Sequence, residues 1–277
     1  MQNTLLGIAI ALILALVTAL VGPHFVNWSS HRAFFEDEAT RLVGVPVHVA
    51  GAINVSVLPT PSITLRAIEI GKPNDESRLR AGALAMELAL GPLMRGELKA
   101  AEARVISPEF AVRLNRNGTV EWPNVAAGIK GDALSIERLT IAQGRIILVD
   151  AISGTRRVLE NLSFTGDVRS LAGPYRGDGG FIIGDDAYFF RLSTGRVGDG
   201  GMKVKLVIDP SERALNIETE GTVTVENGTP RYEGNLTLTR PASAAKASGR
   251  AAVNEPWRAT SKIKATADTA QFEEVEF

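Results

Sequence analysis

The chain has 277 residues, a formal net charge of −1 and no cysteine. Near-balanced charge argues against a nucleic-acid footprint, and the missing cysteines exclude disulfides, thiolate metal sites and a cysteine nucleophile. Glycine is frequent, at 27 residues, and aromatic residues make up only 6%, which suits many strands joined by tight turns.

The first predicted element is an almost unbroken apolar run from Leu5 to Phe25 with no formal charge. A helix needs roughly 20 apolar residues at ~1.5 Å each to cross a ~30 Å hydrocarbon core, and it satisfies its own backbone groups there. Pro23 stands where that helix should end, and Trp28 stands where an interfacial aromatic anchor is expected. The alternative is a cleaved secretory signal, with Val17 and Ala19 as small residues before the cut. Against it, Met1, Gln2 and Asn3 carry no positive charge and the run exceeds a usual signal core. Residues 1–27 therefore read as a transmembrane signal anchor. His31, Arg32 and Arg41 follow it, but so do Glu36, Asp37 and Glu38, so charge gives no orientation.

Ser29 to Val43 predicts a short amphipathic helix. Ser29 or Ser30 is the candidate N-cap, Phe35, Ala39, Leu42 and Val43 share one face, and Gly44 with Pro46 marks the stop. The period then changes from about 3.6 to 2. Strands are predicted at Val47–Val49, Ile53–Val57 and Ile63–Ile70, with a turn at Leu58-Pro59-Thr60-Pro61. Ala81 to Leu90 is alanine-rich, yet Leu84, Met86, Leu88 and Leu90 alternate strictly, so it too reads as strand. A compact turn follows at Leu93–Gly96, then strands at Leu98–Ile106 and Phe110–Leu114, broken at Pro108. Asn117-Gly118 is a hairpin signal leading into Val120 and Trp122.

Gly128 to Ala133 has linker composition, which divides the chain into a helix-plus-strand module over 28–127 and a β-repeat region over 128–277. In the second region, strands are predicted at Leu134–Ile141, Ile146–Val149, Val158–Phe164, Gly180–Ile183, Ala187–Leu192, Met202–Ile208, Leu215–Glu220, Thr222–Val225, Tyr232–Leu238 and Trp257–Ala267. Turns are expected at Gln143-Gly144 and Ser153-Gly154. Weak self-similarity links Ile63–Gly71, Ile136–Gly144 and Leu159–Gly166, each a short alternating strand ending in glycine. That pattern suits an extended, repetitive sheet.

Little in the chain points to chemistry, and no catalytic, metal or cofactor residues are assigned. His24, His31 and His48 lack convergent ligand spacing. No GxSxG elbow or Walker loop occurs, and Gly177–Gly180 and Gly195–Gly201 read as turns or loops. Asp185 and Asp186 would point to opposite faces of a strand, which does not suit paired carboxylate catalysis; they read as a solvated turn.

An ordered set of segments resembles the AsmA-like proteins of Gram-negative inner membranes. The set comprises the N-terminal anchor, the Phe34–Leu42 helix, Gly44-Val-Pro-Val47, the stretch Gly51–Leu65, Pro92-Leu-Met-Arg-Gly-Glu97, Pro108, and Asn117-Gly118 with Trp122. The resemblance implies a mainly β protein: a transmembrane helix, a short amphipathic helix, and an extended, curved, groove-forming antiparallel sheet. It implies an inner-membrane anchor with the bulk of the chain in the periplasm, phospholipid as partner, and a role in outer-membrane biogenesis and protein targeting to membranes. Family members are commonly longer, and this sequence stops at Glu273–Phe277 directly after a strand, so it reads as either a fragment or a truncated reading frame.

Strands with one apolar face can curl so that this face lines a groove, where acyl chains would gain ~0.8 kcal/mol per buried CH₂ without directional chemistry. The candidate floor residues are Ile53, Val55, Val57, Ile63, Leu65, Leu84, Met86 and Leu88. The competing reading of each is ordinary sandwich core. The alternative function is a membrane-tethered adaptor that binds an envelope protein by strand addition. An enzyme is not expected.

Overall fold

The structure is a computed structural model that describes residues 2–72, 78–95, 97, 99–116, 120–121, 135–151, 153–168, 173–196, 201–211, 215–226, 229–241, 255–266 and 269–277. Helix α1 covers Gln2–Phe25 as one helix of 24 residues. Leu6, Ile8, Leu12 and Leu14 on it are all exposed. Among the described residues, no helix is long and apolar enough to cross a membrane.

The helix expected over 29–43 divides into a 3-10 turn at Trp28–His31 and α2 at Arg32–Val43. Neither serine caps it. Gly44 ends α2 at φ +80°, its N–H bonded to the Thr40 carbonyl, which is the left-handed stop a glycine adopts without strain.

Among the described residues, fifteen strands form one sheet. The first are β1 (Val47–Val49), β2 (Ile53–Ser56), β3 (Ser62–Ile70) and β4 (Leu79–Leu88). After a short helix α3 (Leu90–Met94), where a turn was expected, come β5 (Lys99–Leu114), β6 (Val120–Glu121) and β7 (Ser135–Asp150). The series continues with β8 (Arg156–Val168), β9 (Tyr175–Ile183), β10 (Asp186–Arg196) and β11 (Met202–Pro210). It ends with β12 (Asn216–Glu226), β13 (Thr229–Arg240), β14 (Trp257–Ala265) and β15 (Ala270–Glu276). Both β1 and β2 pair with β3, β6 pairs with β5, and from β3 to β15 the remaining strands follow in sequence order.

Among the described residues every pairing is antiparallel, as expected, except β5–β7, which is parallel. The chain between Leu114 and Ser135 supplies the dozen or more residues that a parallel connection requires. The boundary read at 127/128, the linker, the Asn117-Gly118 turn and Trp122 all lie outside the described residues. The sheet is continuous across that interval, because Lys99 to Leu114 pairs directly with Ser135 to Asp150.

The breaks expected at Pro108 and at Gln143-Gly144 are corrected, since both fall inside long strands. They mark a crease instead. Ala67, Ser107, Gln143 and Asn161 have φ of 49°, 50°, 56° and 50°. The register sets Ala67 opposite Gly82, Gly82 opposite Ser107 and Ser107 beside Gln143, with Asn161 one step further along on β8. Ser107 Oγ donates to Gln143 Oε1 at 3.4 Å across the crease. Alternation resets there: Leu65 and Ile68 are both buried, while Arg66 and Ala67 between them are both exposed. Glu160 and Asn161 repeat this between Leu159 and Leu162. Two successive residues on one face lengthen that side of the strand, and the sheet bends toward the other.

The face on the inside of that bend is apolar. Residues directly opposite one another share a face, so Val47, Val49, Ile68 and Ala81 lie together, as do Ile53, Leu65, Leu84 and Val105. Val47, Val49, Ile53, Leu65, Ile68 and Ala81 are buried as one cluster beneath Trp28 and, from α2, Phe35, Ala39 and Val43. A second cluster joins Leu88, Ala100, Ala103, Ile136 and Val168.

The helix also seals the first edge of the sheet. Thr40 Oγ1 accepts the Val47 N–H at 3.0 Å, Glu36 Oε1 the Val49 N–H at 2.7 Å and Ser29 Oγ the Ile53 N–H at 3.3 Å. Arg32 donates to the Gly51 carbonyl at 3.0 Å. An unpaired edge strand is a template for association, and these side chains occupy its donors.

Candidate functional site

Beyond the region under α2, the apolar face continues without a second layer among the described residues. Cross-strand partners carry it from Phe164 and Ile141 through Phe181 and Tyr188, then Leu192 and Leu206, to Leu236 and Leu238 on β13. Among the described side chains from β9 to β15, Pro210 and Ala259 are the buried apolar ones; Phe190, Leu192, Val204, Leu206, Leu236 and Leu238 are half-buried. At the far end Phe272 and Val275 are 56% and 54% exposed. Sheets ordinarily bury such a face against another layer about 10 Å away. Here the face is open.

Its relief differs along the sheet. Phe164 and Phe190 lie parallel within 8° at 6.3 Å between centroids, and Phe181 and Tyr188 within 11° at 5.2 Å. Gly177 and Gly179, expected in a turn, belong instead to β9. The reason is steric: a Cβ at Gly177 would stand 2.7 Å from Phe164 Cζ, and one at Gly179 would stand 2.8 Å from Phe190 Cζ. The rings pave the strand where glycine leaves room. Tyr232 covers Gly221 and Gly234 in the same way, and its hydroxyl shares a hydrogen bond with Thr219 Oγ1.

The opposite face carries the charges. Lys203 pairs with Glu220 at 2.8 Å, Lys205 with Glu218 at 2.6 Å, and Lys264 with Glu273 at 2.9 Å. The hydrogen bond from Lys203 holds the Glu220 carboxyl below its ordinary range, and that to Glu218 raises the Lys205 ammonium. These pairs are exposed and worth little to stability, but they keep this face wetted. On the apolar face, charged residues such as Asp150, Arg157, Asp186 and Arg196 stand at strand ends, leaving mid-strand positions apolar.

Of the floor residues named from sequence, Ile53, Leu65 and Leu88 are buried at 3%, 5% and 7% exposure. Val55, Ile63, Leu84 and Met86 are half-buried beside them on the same face, and Val57 is exposed just past the end of β2. These residues line the end of the face nearest the helix. The open stretch over β10–β13 was missed, although Phe190, Leu192, Val204, Leu206, Leu236 and Leu238 alternate as clearly.

His48 Nδ1 meets Glu36 Oε1 at 2.8 Å beside the sealed edge. Asp185 lies in a turn and Asp186 opens β10. Among the described residues, no group of three histidine, cysteine or carboxylate side chains converges. A concavity of about 370 Å³ lies where β5, β7 and β8 reach the rim of the apolar face, lined by Val112, Leu114, Leu148, Asp150, Ser153 and Arg157, among others.

A family model described as the AsmA family matches residues 2–174. No curated protein and no solved structure matches the chain.

Proposed function

Because the chain belongs to the AsmA family, we propose that it serves cell-envelope and outer-membrane biogenesis by holding phospholipid along the apolar face of its sheet. The observation that supports this reading is the long apolar face, half-buried from β9 to β14 and without a covering layer among the described residues. Acyl chains laid on it gain ~0.8 kcal/mol per CH₂, and no reacting group is needed, so the reading is a binding and transfer function and not catalysis. We read α1 as the single-pass inner-membrane anchor and the sheet as periplasmic; the uncharged run Leu5–Phe25 and its helical backbone support this. Protein targeting to the membrane would follow from the lipid supply.

The test is mass spectrometry of the full chain purified in a mild neutral detergent. Stoichiometric phospholipid in the wild type and its loss in Leu206→Asp are expected. Equal traces of lipid in both proteins would overturn the reading. A second reading, a tethered adaptor, would add a partner strand beside β15, which among the described residues pairs with β14. Capture of one stoichiometric protein partner by lipid-free chain would favour it.

A further inference from the structure

We propose that the concavity at the rim of β5, β7 and β8 is a headgroup station, where Arg157 binds the phosphate of a glycerophospholipid whose acyl chains run onto the apolar face. This rests on the lipid reading above and gives it a fixed point on the sheet.

The register carries the argument. Leu148 stands beside Val112 on one side and opposite Arg157 on the other, and Asp150 stands beside Leu114. Arg157 therefore projects on the apolar face, where mid-strand positions are apolar and a cation stands only at a strand end, as Arg196 also does. Cations elsewhere in the sheet meet carboxylates on the polar face, as Lys203, Lys205 and Lys264 do. Among the described residues the Arg157 side chain makes no hydrogen bond or ion pair, and it is exposed at the concavity. A guanidinium presents a planar fork of donors that matches phosphate oxygens, and it is less strongly hydrated than an ammonium.

The wall next to it is polar and ordered. Ser153 Oγ lies 2.5 Å from Asp150 Oδ2 and 2.9 Å from Thr155 Oγ1, and the Asp150 N–H donates to the Thr155 carbonyl at 2.9 Å. The floor is aliphatic, from Val112, Leu114 and Leu148. At about 370 Å³ the space falls within the range of small-molecule sites. A phosphate on Arg157 with hydrocarbon below uses the cation and the aliphatic floor, while the Asp150 carboxylate takes its hydrogen bond from Ser153 Oγ and not from the phosphate. Free phosphate would leave the floor wet, and a neutral diacylglycerol would leave the guanidinium unused.

The experiment compares equilibrium binding of dioleoyl phosphatidate, dioleoylglycerol and inorganic phosphate to the full chain in neutral detergent. Wild type should prefer the phosphatidate over the diacylglycerol roughly tenfold or more, as a charge-assisted phosphate contact provides. Arg157→Gln should abolish that preference without weakening the diacylglycerol, and Arg157→Lys should restore part of it. An unchanged preference in Arg157→Gln overturns the headgroup station while the groove stands. Competition by millimolar inorganic phosphate alone would make the site an anion site and overturn the lipid assignment. Binding of neither lipid by wild type would remove the groove and the station together. Because Arg157 is exposed, the thermal midpoint of both variants should match wild type, which separates lost binding from lost fold.

Discussion

A carboxylate placed on the apolar face should cost very different amounts at its two ends. Leu65 is 5% exposed, lies opposite Ile53 and Leu84, and is roofed by α2 and Trp28. Leu65→Asp removes a buried leucine, worth about 1.5–3 kcal/mol, and strands a carboxylate without a partner, for several kcal/mol more. Leu206 lies between Leu192 and Thr219 on the same face but is only half-buried, with nothing above it among the described residues. Its carboxylate would reach water, so Leu206→Asp should cost about 1–2 kcal/mol, from partial burial and poor strand propensity. At roughly 2–4 °C per kcal/mol for a chain of this size, Leu65→Asp should lower the thermal midpoint by more than about 10 °C and Leu206→Asp by only a few degrees. Circular dichroism melts in one detergent, with bound phospholipid measured on the same samples, make the comparison. Equal collapse of both variants would mean that β10–β13 are covered in solution, and the open-face argument would fail.

At the sealed edge, Thr40→Val deletes the acceptor of the Val47 N–H and should destabilise by about 1–2 kcal/mol, whereas Thr40→Ser should stay close to wild type in chemical denaturation. At the crease, Gln143→Gly should be neutral or stabilising by up to about 1 kcal/mol, because φ of 56° strains a side chain, and Gln143→Val should destabilise by about 1–3 kcal/mol. On the charged face, Glu220 titrates low through Lys203, so its small contribution is present above the ordinary carboxylate range and fades as pH falls through the lowered value. NMR titration should show Lys203→Met returning the Glu220 carboxyl toward its ordinary range, and an unchanged titration would remove Lys203 as the cause.

Strand periodicity was readable in the chain because side-chain direction alternates locally. Val47–Val49, Ile63–Ile70 and the alanine-rich Leu84–Leu88 segment announce themselves as strands, and the left-handed stop at Gly44 follows from its neighbours alone. The division into an apolar and a charged face was likewise written residue by residue, as was the membership in a family of β-rich proteins that the match over residues 2–174 bears out. What the sequence could not reveal depends on which strand meets which. Pro108 and Gln143-Gly144 look like breaks in a one-dimensional reading, and only the alignment of neighbouring strands turns them into a shared crease. Gly177–Gly180 looks like a loop until Phe164 and Phe190 arrive from adjacent strands to cover it. The same limit governs the site. Alternation marks Leu65 and Leu206 as equally apolar, and only the position of α2 decides that one is roofed and the other open. Long-range packing settles burial, and burial separates a core from a groove.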